Sequence, residues 1–162
     1  MTADALIEGV DMMRKILAAF ALLATTAVAA ADDRPKIEYL NSGKVVPATL
    51  PFSEAVRVGD VLYLSGQVGI KPGTMQLVAG GIREEARQAL ENIKSSLQAH
   101  GYTLGDVVKC TVMLADISEW ATFNEVYKTF FSAPYPARSA LGANGLALGA
   151  RVEVECIAAV DR

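Results

Sequence analysis

Apolar and polar positions along residues 36–160 follow two periods, and the switches between them mark out the elements. Residues 36–41 and 55–58 (AVRV) read as short strands. Val58-Gly59-Asp60-Val61 reads as a hairpin turn into a longer strand, VLYLSGQVG, over residues 61–69. KPGTMQLVAGG reads as a loop. From Ile82 onward the apolar positions Ile82, Ala86, Ala89, Leu90, Ile93 and Leu97 fall at helical spacing, with Glu84 and Glu85 in the first turn and Gly101 as the stop. VVKCTVML (107–114) is rich in β-branched residues and predicts a strand. Ser118 is the expected N-cap of a second helix running to about Phe131, and RVEVECIAAV predicts a final strand. The order of elements predicts an α+β sandwich, a mixed or antiparallel sheet with two helices packed on one face.

Such a sandwich leaves the other sheet face uncovered. On the final strand, Glu153 and Glu155 alternate with Val152, Val154 and Cys156 and so point away from the helices. On 107–114 the core set is expected to be Val108, Cys110, Val112 and Leu114. The second set, Val107, Lys109, Thr111 and Met113, is too apolar for a face left in water. A semi-apolar sheet face predicts a homo-oligomer with closed cyclic symmetry.

Composition changes this picture at one place. The mean hydropathy of +0.29 is high because residues 12–31, MMRKILAAFALLATTAVAAA, carry only Arg14 and Lys15 as charges. A basic start, an apolar run and small-x-small sites ending at Ala29 or Ala31 together predict a signal peptide, with translation starting at Met12 or Met13; an uncleaved anchor is the alternative. The expected organisation is therefore residues 1–31 as leader and upstream residues, and residues 32–162 as one domain in the periplasm or outside the cell. Removing residues 1–31 takes out two basic and three acidic residues, leaving 13 and 15 and a net charge of −2. With basic residues scattered singly, no nucleic-acid partner is expected, nor a membrane partner once the leader is gone.

Candidate chemistry is sparse. Cys110 and Cys156 are the only cysteines, both at core positions; buried free thiols are the favoured state and a disulfide the alternative. One histidine, His100, and no CxxC leave no metal ligand set; His100 reads as a C-terminal helix cap. Trp120, Phe123, Tyr127 and Phe130 recur three or four apart, which suits core packing and, as a second reading, an aromatic ligand box. Four further features remain: Ser65-Gly66-Gln67 at a strand end, Asn124 in the second helix, Arg138 in the PARS segment, and Glu153. A loop-pinned guanidinium suits bidentate capture of a carboxylate, with a structural salt bridge as the plain alternative. Glu153, by alternation alone, reads as a solvated carboxylate.

Together, FSEAVRVGDVLYLSGQVG, the GGI..EARQALENIK helix, GDVVKCTVMLADISEWATFNEVYKTFF, PARSALG and RVEVECIAAV resemble the RidA (YjgF) family of reactive-intermediate deaminases over roughly residues 45–160. The resemblance implies a chorismate-mutase-like fold, a homotrimer with clefts between subunits, and hydrolysis of 2-imino or 2-enamino acids to 2-keto acids and ammonia, with no cofactor or metal. It makes Arg138 the clamp for the substrate carboxylate and Glu153 the group that positions or activates water. Ser65, Gly66, Asn124, Phe52 and Ala140 are the matching substrate-binding positions. The sequence departs from the family pattern at Phe52 (PFSEA), where many relatives carry Tyr, at Ala140, where some carry Cys, and in the ANGLALGA loop. An imine carbon is already electrophilic, so anion recognition, a placed water and proton movement suffice. Two other roles stay open: a trimeric binding protein that holds small carboxylates without turnover, and a ribonuclease or translation inhibitor, which the net charge disfavours.

Overall fold

The computed structural model divides into two compact units, residues 1–34 and residues 35–162. It describes Val10, Met13 and residues 34–160, so apart from those two residues the expected leader lies outside the described residues. Val10 and Met13 are exposed helical residues of the first unit.

The second unit is an α+β sandwich. Its strands are β1 (Ile37–Leu40), β2 (Ala55–Val58), β3 (Val61–Leu64), β4 (Gln67–Val68), β5 (Val107–Leu114), β6 (Ala137–Gly142) and β7 (Val152–Ala159); its helices are α1 (Gly81–Ala99) and α2 (Trp120–Tyr127). The sheet order is β1-β2-β3-β7-β5-β6, with β4 also pairing β7. Every pairing is antiparallel except β5 with β6. The mixed sheet with two helices on one face is thus the expected architecture.

Helix α1 forms where the 3.6-residue period is strongest. Ala86, Leu90, Ile93 and Leu97 are fully buried in one cluster with Leu62, Leu114, Val152 and Val154, and Ala89 is buried as well. Its end is a Schellman turn: Gly101 at φ +86° lets Gly101 N–H donate to Gln98 O (3.2 Å) and Tyr102 N–H donate to Leu97 O (2.9 Å). His100 is the C-cap, as expected, while its ring faces Glu54, with Nε2 3.6 Å from a carboxylate oxygen.

Four expectations need correction. The strand expected over 61–69 is interrupted at Ser65-Gly66, where β3 leaves off and β4 begins at Gln67. The second helix is shorter than expected: Asp116, not Ser118, caps a 3₁₀ turn over Ile117–Glu119 by accepting from Ser118 N–H, and the α-helix ends at Tyr127. A register shift between Val107 and Lys109 buries Val107 and exposes Val108, the reverse of strict alternation. The cysteines are not free thiols: Cys110 and Cys156 are disulfide-bonded. They are direct cross-strand partners of β5 and β7 with Cα atoms 4.1 Å apart, the close spacing of a pair without its own hydrogen bonds.

The face away from the helices carries Tyr39, Val56, Tyr63 and Ile157 in one row across β1, β2, β3 and β7, continued by Lys109 and Ala137. Tyr39 is 71% exposed and Tyr63 48%. Among the described residues, no helix is long and apolar enough to cross a membrane.

Candidate functional site

Two groups of the expected residues come together, one on each side of the sheet. Strand β6 runs parallel to β5 with Arg138 opposite Cys110 and Ala140 opposite Val112. Cys110 and Val112 face the helices, so Arg138 does too. Its guanidinium lies 4.6 Å from the centre of the Tyr127 ring, 5.8 Å from that of Trp120 and 5.9 Å from that of Phe123. These cation–π contacts hold the cation without neutralising it. No carboxylate among the described residues pairs with it, so the salt-bridge alternative finds no partner among them.

A cavity of about 370 Å³ opens beside Arg138, lined by Trp120, Asn124, Tyr127, Lys128, Tyr135 and Pro136. Asn124 therefore joins Arg138 as expected, whereas Ala140 shares its strand face without lining the cavity. The aromatic stripe divides between its two readings. Phe123 is fully buried core, while Trp120 and Tyr127 form cavity wall. Lys128 and Tyr135 were not singled out from the sequence. The available signals were the spacing of Trp120, Asn124 and Lys128 on one helix face and the pinning of Tyr135 between Pro134 and Pro136.

The second group sits around Glu153 on the opposite face of the sheet. Its backbone partners are Met113 of β5 and Val68 of β4. The carboxylate lies over the Gly66 backbone: a Cβ built on Gly66 would stand 2.0 Å from Oε1. Burial, and then the charge of nearby Glu155, pushes the Glu153 carboxyl above the usual carboxylate range. Ser65 completes the turn by donating its hydroxyl to Ser53 O (2.7 Å), next to half-exposed Phe52. Phe52, Ser65, Gly66 and Glu153 thus belong to one region.

Helix α1 fixes that region from behind. Buried Asn92 donates to Val68 O (3.1 Å) and Ile70 O (2.9 Å), tying down β4, and Glu85 accepts from Arg151 N–H (2.8 Å) just before β7. Gly69 is needed because a Cβ there would lie 2.6 Å from the Glu85 Cα. Both backbone segments that meet at Glu153 are therefore held by one helix.

Within one chain, Arg138 and Glu153 are not brought together. They lie on opposite sheet faces, on strands separated by β5. Among the described residues, no group of His, Cys, Asp and Glu could hold a metal ion.

The family model described as Endoribonuclease L-PSP matches residues 43–160. The mouse 2-iminobutanoate/2-iminopropanoate deaminase is 47% identical over 119 residues, covering 74% of this chain and 88% of its own length. Its human counterpart is 44% identical, covering 74% and 87%. Among solved structures, RidA from an Antarctic Psychrobacter superposes with a TM-score of 0.71 at 41% identity, covering 76% of this chain and 99% of that one. Escherichia coli TdcF with bound serine gives 0.71 at 34%, with the same coverage.

Proposed function

The chain belongs to the Endoribonuclease L-PSP (RidA/YjgF) family, and from that premise we propose that it hydrolyses reactive 2-imino acids to 2-keto acids and ammonia. The observation that carries the reading is Arg138: a cation held on aromatic faces, with no carboxylate paired to it among the described residues, beside a cavity of small-molecule size. A guanidinium in that state is suited to the α-carboxylate of an imino acid, and a relative holding serine binds a molecule with the same group.

The reaction adds water to the C=N carbon and expels ammonia. Glu153, acting as the carboxylate, takes a proton from water as the water oxygen bonds to carbon and passes it to the imine nitrogen. It then relays the hydroxyl proton of the resulting carbinolamine to the same nitrogen as the C=O bond forms and the C–N bond breaks, releasing ammonia. Ser65, Gly66 and Phe52 shape the water side of the site, and Asn124 the anion side.

Because Arg138 and Glu153 face opposite ways, the working site takes Arg138 from one subunit and Glu153 from another. A homotrimer closed through the Tyr39–Val56–Tyr63–Ile157 face would cover the exposed tyrosines. Export is supported by the leader sequence and by the Cys110–Cys156 disulfide, a bond rare in reducing compartments.

The test is imine consumption by the protein lacking residues 1–31, with imines generated in situ from amino acids and keto acid release followed. Arg138→Lys keeps the charge but loses the planar fork, so keto-acid binding and turnover should fall together. Glu153→Gln should lower turnover about 10²–10⁴-fold while keto-acid binding survives. Binding without any turnover in the parent protein would make it a carboxylate-binding protein instead.

A further inference from the structure

We propose that the cavity beside Arg138 is a ring pocket, and that the preferred substrates are 2-imino acids with uncharged aromatic side chains. The inference rests on the deaminase reading for its reaction, and on the cavity alone for its specificity.

Three rings, Trp120, Tyr127 and Tyr135, together with Pro136, make most of the wall, and the polar groups are only Asn124, Lys128 and Arg138. That is the make-up of a site in which a few polar groups orient a largely apolar ligand. A substrate of three or four carbons would leave much of the 370 Å³ to water. A six-membered ring would cover Trp120 and Tyr135, which are 44% and 52% exposed although they line a concavity. Core packing does not account for them, because Phe123 on the same helix is fully buried and closes the interior.

The electrostatics narrow the class. Arg138 sits against the Tyr127 face, so a carboxylate bound to its outer edge places the rest of the molecule along the ring wall. Lys128 lines the same cavity and makes no ion pair among the described residues, so a cationic side chain would meet two positive charges.

Trp120 is the one tryptophan of the chain, so its fluorescence reports on the cavity directly. Titration with 3-phenylpropanoate should change the emission saturably and with at least about tenfold tighter binding than butanoate, the scale expected for several buried carbons. In the coupled assay, kcat/KM for the imine from phenylalanine should exceed that for the imine from alanine. Trp120→Ala should reduce that ratio at least about tenfold and Trp120→Phe should keep most of it. Equal binding of the two acids, or a ratio indifferent to Trp120→Ala, overturns the ring pocket. Preferential binding of 3-phenylpropanoate with no imine consumed would uphold the pocket and overturn the deaminase reading. Turnover with no aromatic preference would do the opposite.

Discussion

Gly66 shows how far a single hydrogen atom in place of a side chain can matter. Its conformation is open to other residues, yet the space a Cβ would fill is occupied by the Glu153 carboxylate, with Cδ 2.9 Å and Cγ 3.1 Å away as well. The obstructing atoms are the end of a movable side chain, so Gly66→Ala should leave the fold intact and displace the carboxylate. Turnover should drop by about 10²-fold, the cost of roughly an ångström of misplacement, while the melting temperature barely moves. Parallel kinetics and thermal melts would check this; full activity would mean that the position of Glu153 is not critical. The proton affinity of Glu153 gives a second expectation. Burial, and secondarily Glu155, raise it, and a base must be ionised to act, so the acidic limb of kcat/KM should lie above the ordinary carboxylate range. Glu155→Gln removes the like charge and should move that limb to lower pH. A limb unmoved in the variant would assign it to another group.

Pairs of elements set features that no single segment encodes. The α1 stripe, the alternation on β7 and the turn at Gly59 could be read from local spacing, because each depends on one element burying one face. The break at Ser65-Gly66 could not, since it arises where β4 bends to pair β7 beside Glu153. Nor could the Val107–Lys109 irregularity, which is set by register against β7. The cysteines belong to the same class: each reads as a core residue on its own strand, and only the pairing of β5 with β7 sets them opposite one another. The disulfide closes a loop over a sequence separation of 46 residues, and loss of such a bond costs about 2–4 kcal/mol. Cys110→Ala with Cys156→Ala should therefore lower the urea midpoint, and parent protein unfolded under thiol-free conditions should show no titratable thiol. Two free thiols per chain would contradict the bond. Because Cys110 is also the direct neighbour of Arg138 on β6, the double variant should weaken keto-acid binding as well as stability.

At the scale of the whole molecule, the sequence placed Glu153 away from the helices, but the side taken by Arg138 depends on the parallel pairing of β6 with β5, which no spacing reveals. On the proposed reading, the chain carries both halves of a site and cannot close it alone. A trimer would use each chain twice, Arg138 toward one neighbour and Glu153 toward the other, and light scattering should show three chains. Complementation tests the sharing itself. An Arg138→Ala chain lacks the clamp and a Glu153→Gln chain lacks the base, so each alone should be nearly inactive. Unfolded together in equal amounts and refolded, they should form mixed rings in which about one site in four joins an intact Arg138 to an intact Glu153, with activity near a quarter of the parent's. Mixing the folded variants without dissociation should restore nothing. If co-refolding also restores nothing while each variant still assembles, the two residues act within one chain, and the shared site is wrong.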